Sequence, residues 1–230
     1  MTSEDAVQAR ASSALLISGG IAALVGGATH GDLPEGSGAL ALQFVADHPA
    51  YALVHFVSIF GGVLWAVGLA SCHVLRASVF ARWLTRAGGH VALIGAAVLA
   101  VQFSLDGVGV EALAARWSTP GADQGMLETV ASLAPDVLIG VALTWVMLLY
   151  GLAPLLAGWA LLVDRHAILG WAGVTLGVFA TLGTLSRVLG FTMVPDWLVF
   201  AGSIMGGSIW AIALGVYGLI GVARQQASDH

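Results

Sequence analysis

Apolar positions gather into six long runs separated by shorter polar stretches. The runs lie near Ser12–Thr29, Ala50–Cys72, Gly89–Leu105, Val137–Leu162, Ile168–Leu189 and Leu198–Val222. A hydrocarbon core about 30 Å thick takes roughly 20 apolar residues per helix. The pattern therefore predicts an all-α, polytopic transmembrane bundle of about six spans. No Pro-rich, Ser-rich or highly charged linker divides the chain, so residues 1–230 read as a single transmembrane domain. The fourth run is long, and Gly151 and Pro154 predict a kink within it. The first run follows Arg10, but Glu4 and Asp5 occupy the region that a secretory signal would make positive, so a retained first span is expected.

The polar stretches set the expected orientation. With the N-terminus cytoplasmic, Arg10, Arg76, Arg82, Arg86, Arg165 and Arg224 fall inside, against Arg116 and Arg187 outside. The positive-inside rule then places both termini in the cytoplasm. The two long loops, His30–Pro49 and Asp106–Pro135, fall on the outer side. The first contains Gly38–Val45, which suits a short interfacial amphipathic helix. The second suits two short helices on either side of Thr119-Pro120-Gly121.

Composition sharpens this picture by exclusion. Hydrophobic residues make up 58% of the chain and charged residues 9%, where a soluble domain carries about a quarter charged. The net charge is -5 and no residue is Lys. Eight scattered cations form no basic face for nucleic acid, and a retinal Schiff base has no amine to form on. Cys72 is the single cysteine, which excludes an internal disulfide and any CxxC motif.

Two features concern packing. The stretch from Ser58 to Leu69 echoes that from Ser203 to Leu214, sharing Ser, Ile, the Gly-Gly pair, Trp, Ala and the closing Leu. Gly62, Ala66 and Ala70 recur at every fourth residue, as do Gly207, Ala211 and Gly215. In the fifth run Gly173, Gly177 and Thr181 do the same. Such faces let helix backbones approach closely in lipid, so they predict bundle interfaces.

Ionisable residues in or beside the spans are few, and each is a functional candidate by default. His55 lies about a turn inside the second span. It shares a face with Ser58 and Gly62, so it is expected to point inward. Gln102 and Asp106 sit four apart at the end of the third span, on one helix face. Asp136 opens the fourth, and Arg187 lies near the end of the fifth, where Asp106 or Asp136 would pair with it. Glu111, His30, Asp32 and His48 lie in the adjoining loops. His55, Gln102, Asp106, Glu111, Asp136 and Arg187 are the candidate ligand-binding residues, with His55, Asp106 and Glu111 lining one cavity. A metal site would use His55, Asp106 and one loop His or carboxylate. A haem would use His30 with His55, or His73 with His90.

The run His48-Pro49-Ala50-Tyr51-Ala52-Leu53-Val54-His55 and the Asp-Gly stretch from Gln102 to Ala114 resemble a broad group of small prokaryotic six-span integral membrane proteins. The resemblance implies a helical bundle in a prokaryotic membrane and carries over no catalytic residue.

The resulting expectation is a non-enzymatic protein of the prokaryotic cytoplasmic membrane. It would bind or pass a small, largely apolar molecule through an outward-facing cavity, with no obligatory cofactor. The alternatives are a metal- or haem-dependent membrane oxidoreductase and a structural subunit of a larger membrane complex. Expected partners are the lipid bilayer, a small molecule and other membrane chains, including copies of itself; nucleic acid is not among them.

Overall fold

The structure is a computed structural model that describes residues 2–31, 33–34, 36–191 and 195–228. Among these residues the fold is all helical, with no strand. Six helices are long and apolar enough to cross a membrane: Ser3–Thr29, Tyr51–Leu75, Val79–Trp117, Gln124–Val163, Ala167–Val188 and Trp197–Arg224. Large apolar side chains stand exposed along them, among them Phe60, Trp83, Val101, Val137 and Ile168. Water would not tolerate so continuous an apolar surface, and lipid requires it.

Several helices extend beyond the apolar runs, because polar residues cap them. Helix α1 (Ser3–Thr29) starts at Ser3, not Ser12. The Thr2 hydroxyl accepts from the Asp5 amide while the Asp5 carboxylate accepts from the Thr2 amide, a reciprocal cap. Helix α2 (Gly38–Ala46) is the short helix expected in the first loop. Helix α3 (Tyr51–Ser71) continues into one 3-10 turn, Cys72–Leu75. Helix α4 (Val79–Ser104) begins ahead of the apolar run because Ser78 Oγ caps it by accepting from the Ala81 amide.

The second long loop is largely helix. A π turn, Leu105–Gly109, joins α4 without interruption to α5 (Val110–Trp117). After residues 118–123, α6 (Gln124–Trp145) starts from an Asp123 cap and carries Pro135 and Asp136 in its interior. Asp136 therefore does not open a helix. A second π turn, Val146–Leu152, contains Gly151 and leads into α7 (Ala153–Val163) with Pro154 in its first turn. Pro154 cannot donate to the carbonyl four residues back, and the widened turn is where that ladder gives way. Helices α8 (Ala167–Val188) and α9 (Asp196–Ser228) complete the chain.

The spans pack in a closed ring. Helix α1 meets α3 and α9; α3 meets α4; α4 meets α6 and α7; α7 meets α8; and α8 meets α9. A hydrogen bond from Arg10 to Gln226 joins the first and last helices at the end that carries both termini. Trp65, Leu149, Tyr150 and Trp210 fill the centre of the ring. The two echoing segments flank α1 on either side. A Cβ on Gly19 would collide with the Trp65 backbone nitrogen, and one on Gly20 would meet the Ser208 carbonyl at 2.8 Å. The expected small-residue faces are contacts: Gly62 faces Leu99, Gly207 faces Tyr150, and Gly173 faces Gly158 and Trp210. Among the α3 glycines that face α1, the closest approach is at Gly61, the neighbour of Gly62.

The 39-residue helix from Val79 to Trp117 is about 58 Å long at 1.5 Å per residue, nearly twice the hydrocarbon thickness. Its excess builds a cap at the end opposite the termini. There Leu42 and Val45 of α2, Tyr51 of α3, Val110 and Ala114 of α5, and Leu127 and Ala131 of α6 form a second apolar core. The candidate site lies where this cap core meets the bundle core.

Candidate metal and ligand site

Three spans end at the seam between the cores, and each delivers one ionisable group. His30 caps the C-terminus of α1 with helical backbone angles, so its side chain projects from the last turn of the span and not from a loop. His55 lies one turn into α3 and is 1% exposed. Asp106 is the second residue of the π turn after α4 and is 6% exposed. His30 Nε2 and His55 Nε2 are 2.9 Å apart. Asp106 Oδ2 lies 3.3 Å from His55 Nε2 and 3.7 Å from His30 Nε2.

Tyr51 orients two of the three groups. Its hydroxyl donates to Asp106 Oδ1 at 2.8 Å, which leaves Oδ2 to face the histidines. Its backbone carbonyl lies 2.8 Å from His55 Nδ1. A carbonyl can only accept, so a proton sits on Nδ1, and in a neutral ring the Nε2 lone pair would then face Asp106 and His30. Phe103 packs against both imidazoles and stands edge-on to Trp145. The Trp145 indole in turn donates to Gln102. The backbone leaves little slack here: a Cβ on Gly107 would sit 2.7 Å from His55 Cβ. Gly107 is thus what allows α4 to bring Asp106 against α3.

A cleft of about 740 Å3 opens beside the cluster, within the 300–1,000 Å3 range typical of small-molecule pockets. His30, Gln102 and Asp106 supply its polar side; Leu138, Ile139 and Phe200 supply much of its apolar wall.

The remaining candidates are placed differently. Glu111 is half-buried on α5 and Asp136 is exposed on α6; neither joins the cluster. Arg187 is exposed near the end of α8, and the ion-pair partners of Asp106 among the described residues are His30 and His55. His73 bonds to the Ala70 carbonyl and to Arg86 at the termini end, while His90 is exposed, so those two histidines form no pair. His48 bonds to the Phe44 carbonyl within the cap. Asp32 lies outside the described residues.

Sequence reasoning did not identify Tyr51 or Phe103 as parts of the site. An aromatic residue at the start of a span reads equally well as an interfacial anchor, and Phe103 reads as core. Comparison with family models, curated proteins and solved structures yields no match.

Proposed function

We propose that this multi-pass membrane protein binds a small, largely apolar molecule bearing one polar end, in the cleft at the cap end of the bundle. The observation that carries this reading is the joining of apolar walls to a compact polar floor made by His30, Gln102 and Asp106. An apolar body would be held by Leu138, Ile139 and Phe200, and its polar end would be oriented by the floor, the usual division of labour in such pockets. Trp145 holds Gln102 in place and Tyr51 holds Asp106, so the floor is formed before any ligand arrives. A planar haem fits this geometry poorly, because His30 and His55 touch directly and leave no gap for a macrocycle between them.

The test is photolabelling of the purified protein in nanodiscs with a diazirine-bearing dodecanol. Labels are expected to concentrate on peptides containing Leu138, Ile139 and Phe200. Ile139→Trp, which narrows the cleft above its polar floor, is expected to reduce that labelling severalfold. Labelling spread evenly over lipid-facing residues such as Phe60 and Trp83, and unchanged in Ile139→Trp, would remove the reading.

The same proposal places the protein in a prokaryotic cytoplasmic membrane, with the cap end outward. The arginines at the termini end support that orientation: Arg10, Arg76, Arg82, Arg86, Arg165 and Arg224 all lie toward it, against Arg116 in the cap and Arg187 at the cap end of α8. Reporters fused after Arg224 and inserted beside Ser78 should read cytoplasmic, and one at Gly121 should read external. A cytoplasmic signal from Gly121 would invert the assignment.

A further inference from the structure

We infer that His30 Nε2, His55 Nε2 and Asp106 Oδ2 form a binding site for one divalent first-row transition-metal ion. The inference concerns the floor of the cleft and stands whether or not an apolar molecule binds above it.

Geometry is the first support. A point equidistant from three atoms separated by 2.9, 3.3 and 3.7 Å lies about 1.9 Å from each, against roughly 2.0–2.1 Å for Zn–N and 2.0–2.2 Å for Zn–O. An ion slightly above the plane of the three atoms therefore reaches all of them at normal coordination lengths, with almost no movement of the protein.

Proton bookkeeping is the second support. The Nδ1 bond to the Tyr51 carbonyl leaves the neutral His55 ring with a lone pair on Nε2. That lone pair faces a carboxylate oxygen at 3.3 Å, acceptor against acceptor. The His30 Nε2 proton can be shared with only one of the two at a time. A cation at the centre satisfies all three atoms together, and it takes the place of the proton on His30 Nε2.

The surroundings supply the third support. Metal-bound histidines commonly donate their other ring N–H to a backbone carbonyl, and metal-bound carboxylates are themselves hydrogen-bonded. Tyr51 does both, for His55 and for Asp106. Two imidazoles and a carboxylate suit zinc, iron(II) and their neighbours, and do not suit magnesium or calcium, which take oxygen ligands. Three protein ligands leave a further position vacant. His30 and Asp106 line the cleft, so that position opens toward it. An open position is the mark of a site that engages a water or a ligand, as distinct from a closed structural site.

The test uses the full chain, treated with chelator and then titrated with Co2+ and with Zn2+. Wild type is expected to take up one equivalent of Co2+, with visible d–d absorption that Zn2+ abolishes. Zn2+ should also raise the melting temperature, which continues to climb as free Zn2+ exceeds one equivalent. His30→Gln removes the most exposed ligand and should weaken Co2+ binding by at least 10-fold. Tyr51→Phe keeps all three ligands and should weaken it about 10-fold through lost orientation. His90→Gln, an exposed histidine at a distance, should bind as wild type. If folded wild-type protein binds Co2+ no more tightly than His30→Gln, or if His90→Gln weakens binding as much, the inference fails. Photolabelling of the cleft is read separately in chelated protein, so the failure of one proposal leaves the other standing.

Discussion

Gly61→Leu is expected to prevent stable assembly of the ring. A Cβ at Gly61 would lie 2.6 Å from the Ala23 backbone nitrogen and 3.0 Å from the Ala22 carbonyl carbon. Both are main-chain atoms of a helix, so no rotamer change relieves the clash; α1 must move as a body. Overpacking of this kind costs about 3 kcal/mol or more when the neighbour is rigid. Gly61→Ala needs a smaller shift and should cost about 1–2 kcal/mol. Gly140 provides the comparison, because nothing lies within 4 Å of a Cβ built there. Gly140→Leu should be neutral or stabilising by up to about 1 kcal/mol, through helix propensity alone. Cys72, the sole thiol and 1% exposed, makes the measurement direct. A thiol-reactive dye in a thermal scan reports the temperature at which the bundle opens. Equal melting of Gly61→Leu and wild type would mean that α1 and α3 do not pack as described.

The second large effect is expected at Asp106. In chelated protein, Asp106→Ala leaves the buried Tyr51 hydroxyl without its acceptor and the two imidazoles without a carboxylate partner. Leaving these buried polar groups without a partner costs about 1–3 kcal/mol each. Asp106→Asn keeps the carbonyl oxygen that accepts from Tyr51 and should cost about 1–2 kcal/mol. The same dye assay ranks the three proteins, with Asp106→Ala melting lowest. If the two variants melt together, the charge and not the Tyr51 hydrogen bond carries the stabilisation. If neither differs from wild type, Asp106 is not held as described.

Both predictions rest on features that the sequence disclosed to different degrees. Hydropathy located six spans, because lipid demands long apolar runs and nothing else in this chain mimics them. It set their ends badly. Val79–Gly88 belongs to α4, yet Arg82 and Arg86 lower its hydropathy, and the Ser78 cap outweighs them. The inward direction of His55 followed from its face with Ser58 and Gly62, and all three are buried. In sequence His30 reads as a loop residue, because polar residues at the end of an apolar run look alike whether the helix stops or continues. Its partnership with Asp106 is set by the contact of α1 with α3, a tertiary fact that periodicity does not encode. Asp136 appeared to open a span because Pro135 reads as a helix start; inside α6 the proline is instead tolerated in mid-helix.

The π turn at Leu105–Gly109 has a consequence of another kind. Such a turn amounts to one residue more than a regular helix needs. Deleting a single residue there would leave the span count, the hydropathy and all three ligand identities intact. It would also regularise the turn, so that Asp106 and Gly107 could no longer hold their places against α3 while α5 keeps its own against α2 and α6. The alignment of bundle and cap around Asp106 thus depends on how many residues precede α5 as well as on which residues they are. A scan of substitutions would pass over this dependence, and a scan of one-residue deletions would expose it.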